Sequence, residues 1–173
     1  MKRLGIIILL FCFSFTIIQA QNRHKKPKRK PIENRDNNYN KELLRLTNIA
    51  RSKSCKCGNT NYNSTKQLKW NDTLAKVALE HVKYLSTINE LTHTGKGGST
   101  SSQRVTKAGY IWQAVAENLA IGQGTAEEAI QSWLDSENHC KNIMNPIYKE
   151  YGAAYIKSNS NGYIWIQVFA TKW

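Results

Sequence analysis

Beyond residue 20 the chain has no apolar run approaching the roughly 20 residues that a membrane-spanning helix needs, so a soluble domain is expected. It has no internal repeat, which excludes a solenoid or propeller. No H-E-x-x-H helix and no G-x-S-x-G turn occurs, so neither a zinc protease of that kind nor a serine hydrolase with a nucleophile elbow is encoded. Acidic residues are scarce: 12 Asp and Glu stand against 25 Lys and Arg, and none precedes Glu33. Cysteine is scarce too, four in all, with Cys12 inside the apolar start. The remaining three, Cys55, Cys57 and Cys140, allow at most one internal disulfide and leave one thiol over. Cys55 and Cys57 are too close to favour each other, so Cys140 is the expected partner of one of them. A bridge closing so long a loop would contribute on the order of 4 kcal/mol.

What is present at the start reads as a secretory signal rather than a membrane anchor. Met1-Lys2-Arg3 is basic, Leu4 to Ile18 is almost wholly apolar, and Gln19-Ala20 ends on a small residue. Cleavage is expected after Ala20, and Phe11 before Cys12 is the wrong context for a lipoprotein. The expected division is a signal peptide over 1–20, a basic disordered linker over 21–36 and one folded domain over 37–173. Removing 20 of the 173 residues leaves 153, enough for a single core.

The charge lies mostly in the linker. Arg23, Lys25, Lys26, Lys28, Arg29 and Lys30 form one tract, whereas Pro31 onward carries 17 basic and 12 acidic residues, a net of +5. Such a tract buries nothing and is expected to be disordered. Two readings stay open for residues 23–30: salt-sensitive attachment to an anionic surface such as lipid or wall polymer, and a solvated spacer. A secretory signal argues against a nuclear role and a specific nucleic-acid partner. The expected oligomeric state is a monomer.

Periodicity predicts a helix over 37–52, with Tyr39, Leu43, Leu46 and Ala50 on one face. A loop with both early cysteines follows. A second helix starts at the capping residues Asn71-Asp72, with Leu74, Val77, Ala78, His81, Leu85 and Ile88 as its stripe. His81 there reads as a core histidine with one hydrogen-bonded nitrogen. After a Gly- and Ser-rich loop, a helical turn over 103–108 stops at Gly109. Val115 to Ile121 reads as a strand with Glu117 on the face of Val115 and Leu119, and a carboxylate there must find a partner or be protonated. Thr125-Ala126-Glu127-Glu128 is a capping box for a third helix, expected to end near Ser136 and to deliver His139 into the connection beyond. Tyr151–Ile156 and Tyr163–Ala170 read as strands joined at Asn161-Gly162. The last is apolar on both faces and needs cover on both. The expected fold is α+β, a three-layer α-β-α sandwich around a small antiparallel sheet.

Three residues carry the chemistry: His93 in Thr92-His93-Thr94-Gly95, Glu117 in Glu117-Asn118, and His139 in Glu137-Asn138-His139-Cys140. Two imidazoles and a carboxylate suit an open Zn²⁺ site, with Glu117 as base toward a metal-bound water. They also suit a buried His–Glu hydrogen-bond network that ties the loops to the sheet, and spacing alone does not choose. Trp70, Trp112, Trp133, Trp165 and Trp173 are each candidates for stacking on sugars, with Trp133 and Trp165 expected in the core.

These segments, with Asn48-Ile49-Ala50-Arg51, Cys57-Gly58, Leu68-Lys69-Trp70-Asn71, Ala108-Gly109-Tyr110, Trp133 and Trp165-Ile166-Gln167-Val168-Phe169, resemble in order the bacterial branch of the CAP superfamily. The resemblance covers about residues 40 to 171. It implies an α-β-α sandwich, a Cys57–Cys140 disulfide and Cys55 as the extra thiol. It also implies a cavity with His93, Glu117 and His139, where His139 takes the bacterial position. The superfamily's second acid falls at Ser136 here and its second histidine at Ile164, so Glu137 is the candidate replacement carboxylate. By resemblance the function is ligand binding, with lipid-like, wall-derived or protein partners and a candidate Zn²⁺ at His93 and His139. The alternative is metal-dependent hydrolysis.

Overall fold

In the computed structural model, residues 39–158 and 162–173 are described. The segments expected to be signal peptide and basic linker, and Asn161 of the last turn, lie outside them. Helix α1, Tyr39–Arg51, buries Leu43, Thr47 and Arg51, one residue per turn of a single face. Within the expected loop after it lies a short antiparallel hairpin, β1 (Cys55–Cys57) with β2 (Thr60–Tyr62). Gly58 turns the hairpin at φ +58°.

After the two-residue β3, Lys69–Trp70, helix α2 spans Asp72–Ile88. The Asn71 side chain caps it by accepting from the Leu74 N–H, and Asn89 ends it in the left-handed region. A 3-10 turn at Lys96–Gly98 leads to α3, Ser101–Lys107, which starts two residues before the expected turn because Thr100 and Gln103 complete a capping box. Strand β4 runs Trp112–Ile121. Helix α4, Ala126–Asp135, is capped by Thr125 as expected, but Glu128 reaches back to the Gly124 N–H. Ser136, with φ −98° and ψ 123°, then breaks the path, and a separate helix α5 spans Glu137–Met144. His139 is therefore on a helix, not in the connection that the sequence suggested. The extended Ser136 serves as cap of both helices, so the polar run that read as loop is a second helical start. Strands β5 (Glu150–Lys157) and β6 (Tyr163–Lys172) close the chain.

The main sheet has the order β3-β5-β6-β4. It is antiparallel except where the two-residue β3 runs parallel to β5. β6 is central, and its alternation divides the core. Ile164, Ile166, Val168 and Ala170 pack with Leu74, Val77, Val82 and Leu85 of α2 and Val105 of α3. Trp165 and Phe169 face the other way, toward Leu43 of α1, Trp133 of α4 and Ile143 of α5. Helices on both sides of one sheet make the α-β-α sandwich expected for a strand apolar on both faces. Trp133 and Trp165 are fully buried, whereas Trp173 is exposed.

Candidate functional site

The site gathers at the free edge of β4. Residues 117 and 118 are neighbours on that strand and point to opposite layers. Glu117 enters the α2/α3 layer, where its side chain is 2% exposed. A bare carboxylate there would be prohibitively unfavourable, and two cations or donors meet it. Arg104 Nη2 of α3 donates to Oε2 at 2.6 Å, and His93 Nδ1 donates to Oε1 at 2.9 Å. Arg104 Nη1 also donates to the carbonyls of His93 (3.0 Å) and Ser99 (2.8 Å), so one guanidinium holds both the carboxylate and the loop that carries His93. Arg104 was not marked by sequence reading as part of the site. The signal was the buried acid itself, which needed a partner that spacing could not name.

His93 is 60% exposed at its side chain. With Nδ1–H committed to Glu117, its Nε2 carries the lone pair and is open to a ligand. A carboxylate that orients a histidine in this way is the outer-shell arrangement found behind metal-bound and catalytic imidazoles. His81 forms the floor. Its Nε2 donates to the Thr92 carbonyl at 3.0 Å and lies 3.9 Å from Glu117 Oε1, while its Nδ1 is buried without a partner. Burial pushes its pKa down, so the ring is neutral, as a core histidine should be.

His139 comes from the opposite layer. It is half-buried, and burial followed by the nearby His93 lowers its pKa. The two layers meet here because, among the described residues, β4 has no strand beyond it. Asn118 fixes the approach: its Nδ2 donates to the His139 carbonyl (3.1 Å) and to Gln167 Oε1 (3.1 Å), and its Oδ1 accepts from Asn142 (2.8 Å). Gln167 in turn donates to Thr47 and to the Tyr151 hydroxyl, both at 3.0 Å. This buried polar network ties α5 to β4, β5, β6 and α1. Arg51 adds a second tie, donating to the carbonyls of Lys66, Ile143, Asn145 and Tyr148. Two of those carbonyls belong to the end of α5, where a cation meets the negative pole of the helix. Burial brings the Arg51 pKa down to about 10, which leaves it charged at neutral pH.

The structure thus joins His93 to Glu117 directly and brings His139 near them. Glu137 has other partners: Lys141 Nζ at 2.5 Å, and Gly58, where a β-carbon would collide with the Glu137 carboxyl. Among the described residues, the one set of three His, Cys, Asp or Glu with all ligand atoms within 4.8 Å is Cys55, Cys57 and Cys140. His93, Glu117 and His139 are not a preformed three-ligand cage. Cys57 and Cys140 form the disulfide, and Cys55 is left as a thiol.

Residues 44–169 match the Cysteine-rich secretory protein family, CAP. The chain belongs to that family and to its bacterial branch. It is 31% identical over 134 residues to the uncharacterized protein YkwD of Bacillus subtilis (strain 168), a match over 78% of this chain and 48% of YkwD. An extracellular protein containing a SCP domain from Bacillus anthracis str. Ames is similar in structure, with a TM-score of 0.64 and 27% identity over 78% of this chain and 40% of that one. An outer surface protein from Borrelia burgdorferi gives a TM-score of 0.62 and 25% identity over 78% of this chain and 90% of that one. The chain therefore spans less than half of YkwD and of the B. anthracis chain. No helix among the described residues is long and apolar enough to cross a membrane.

Proposed function

We propose that this CAP domain is a secreted binding module, whose ligand docks at the β4 edge between His93 and His139. The observation that carries this is the commitment of Glu117. Both its oxygens are taken, one by Arg104 and one by His93. A carboxylate so clamped orients an imidazole; it is not poised to take a proton from water. The exposed His93 Nε2 is a lone-pair donor, and the neutral, half-buried His139 is a second nitrogen. That pair suits a polar group of a wall-derived, lipid-like or protein ligand.

The donor set also fits Zn²⁺ in part. His93 and His139 would supply two nitrogens, leaving the remaining positions to water or the ligand. Zn²⁺, when bound, would supply Lewis acidity toward an oxygen of the ligand. Glu117 and Arg104 would hold the His93 ring, and Asn118 would hold the His139 backbone. A hydrolase reading of the same residues requires Glu117 to let go of Arg104. The leader-like residues 1–20, with the extracellular and outer-surface descriptions of two relatives, support secretion.

The test is equilibrium dialysis of untagged protein against Zn²⁺, with a His93→Ala/His139→Ala variant and a panel of ester and peptide substrates. The expected result is about one zinc per chain, lost in the folded variant, and no turnover. Zinc-dependent turnover that Glu117→Gln abolishes would replace this reading by the hydrolase. Absence of zinc from the wild type would remove the metal from it.

A further inference from the structure

A second cluster lies outside that site, where β1 meets α5. In a strand, residues i and i+2 share a face, so Cys55 and Cys57 both present their sulfurs to Cys140. Cys55 Sγ is 3.9 Å from Cys57 Sγ and 4.0 Å from Cys140 Sγ. A half-buried thiol thus flanks a buried disulfide at nearly equal distance from both of its sulfurs.

We propose that Cys55 is an exchange thiol that displaces Cys57 from Cys140, so that β1 is bridged to α5 through either cysteine. The Cys55 thiol first loses its proton to solvent. Its thiolate attacks Cys140 Sγ, forming the Cys55–Cys140 bond as the Cys57–Cys140 bond breaks. The electron pair leaves on the Cys57 sulfur, which takes up a proton. One disulfide and one thiol stand on each side, so no oxidant or reductant is consumed. Displacement runs along the S–S axis, and Cys55 sits beside that axis, so a turn of its side chain precedes attack. Burial raises the Cys55 pKa, which makes the thiolate the scarce species at neutral pH.

The exchange alters the surface beside the disulfide. Cys55 Sγ stands 4.0 Å from Cys140 Sγ and a disulfide spans about 2 Å, so the transfer moves β1 by no more than about 2 Å relative to α5. Gly58, next to Cys57, packs against Glu137, so releasing Cys57 loosens that contact. Glu137 is in the first turn of the helix that carries His139.

Lys56 lies between the two cysteines, so tryptic cleavage separates them and assigns each bridge. The intact protein is held at pH 7, 8 and 9, quenched with acid, alkylated and mapped without reduction by mass spectrometry. The expected result is label on both Cys55 and Cys57, with about a tenth or more on Cys57, approached about tenfold faster per pH unit while the thiolate is scarce. Cys57→Ser should form Cys55–Cys140 instead. Label confined to Cys55 at every pH overturns the proposal. So does label on Cys140, which would mean attack on Cys57. A folded Cys57→Ser protein with two free thiols also overturns it, and if that variant does not fold, the wild-type map decides.

Discussion

Arg104 satisfies Glu117 and two loop carbonyls through one guanidinium, and its side chain is 12% exposed. Removing it strands a carboxylate in the core. Arg104→Ala is expected to cost about 3 kcal/mol or more in urea unfolding, most of it from the unpaired charge. Glu117→Gln added to that variant should recover part of the loss, because a neutral amide is far less costly to bury alone. An equal loss in both would mean that Arg104 acts through packing. The neutral His81 makes a pH prediction at the same scale. Its folded pKa lies below the unfolded value, about 6.5, since burial outweighs the pull of Glu117. As pH falls through that value the unfolded chain takes a proton that the folded one refuses. Stability is thus complete above about pH 7 and declines below about 6.5. The urea midpoint should fall between pH 7.5 and 5.5, and His81→Gln, if folded, should flatten the decline.

At the scale of elements, α2 packs backbone to backbone on β5 at Gly152. A β-carbon there would meet the backbone of Leu74 and Ala75, at the start of the helix, and backbone cannot turn aside as a side chain can. Gly152→Ala is expected to cost about 2 kcal/mol, with a Tm loss on the order of 5 °C by circular dichroism. A neutral outcome would mean that α2 slides along the sheet. The α4–α5 break is the element that sequence reading misplaced. Helix periodicity was clear through Trp133, but Ser136-Glu137-Asn138-His139 has no apolar face of its own. Its helical state depends on Cys140, Ile143 and Met144 being buried against the rest of the domain. The β1–β2 hairpin was illegible for a similar reason, since the three-residue strands Cys-Lys-Cys and Thr-Asn-Tyr are too short to carry a period.

At the scale of the molecule, the disulfide closes a separation of 83 residues and anchors α5, the helix that brings His139 to the β4 edge. Reduction should cost on the order of 4 kcal/mol and lower Tm by on the order of 10 °C in a domain of this size. A reduced protein that unfolds at the same urea concentration would show that Arg51 and the Asn118–Gln167 network suffice to hold α5. The two cores on either side of the sheet are continuous within themselves and share β6, so loss of packing on one side is expected to weaken the other.

By itself the sequence determined the elements whose side chains repeat at a structural period: α1, α2, α4 and the two-faced β6, and with them the sandwich. It also marked His93, Glu117 and His139 as chemistry-bearing, and the buried Glu117 as needing a partner. Which partner was a matter of tertiary structure. Arg104 and His93 reach the carboxylate from separate segments folded over α2, and no spacing along the chain encodes that meeting. Likewise only the strand order, with β4 at an edge, lets His139 in one layer approach His93 in the other. Periodicity reports which face of an element is apolar; the contacts between elements are made by distances that exist only once the faces are packed.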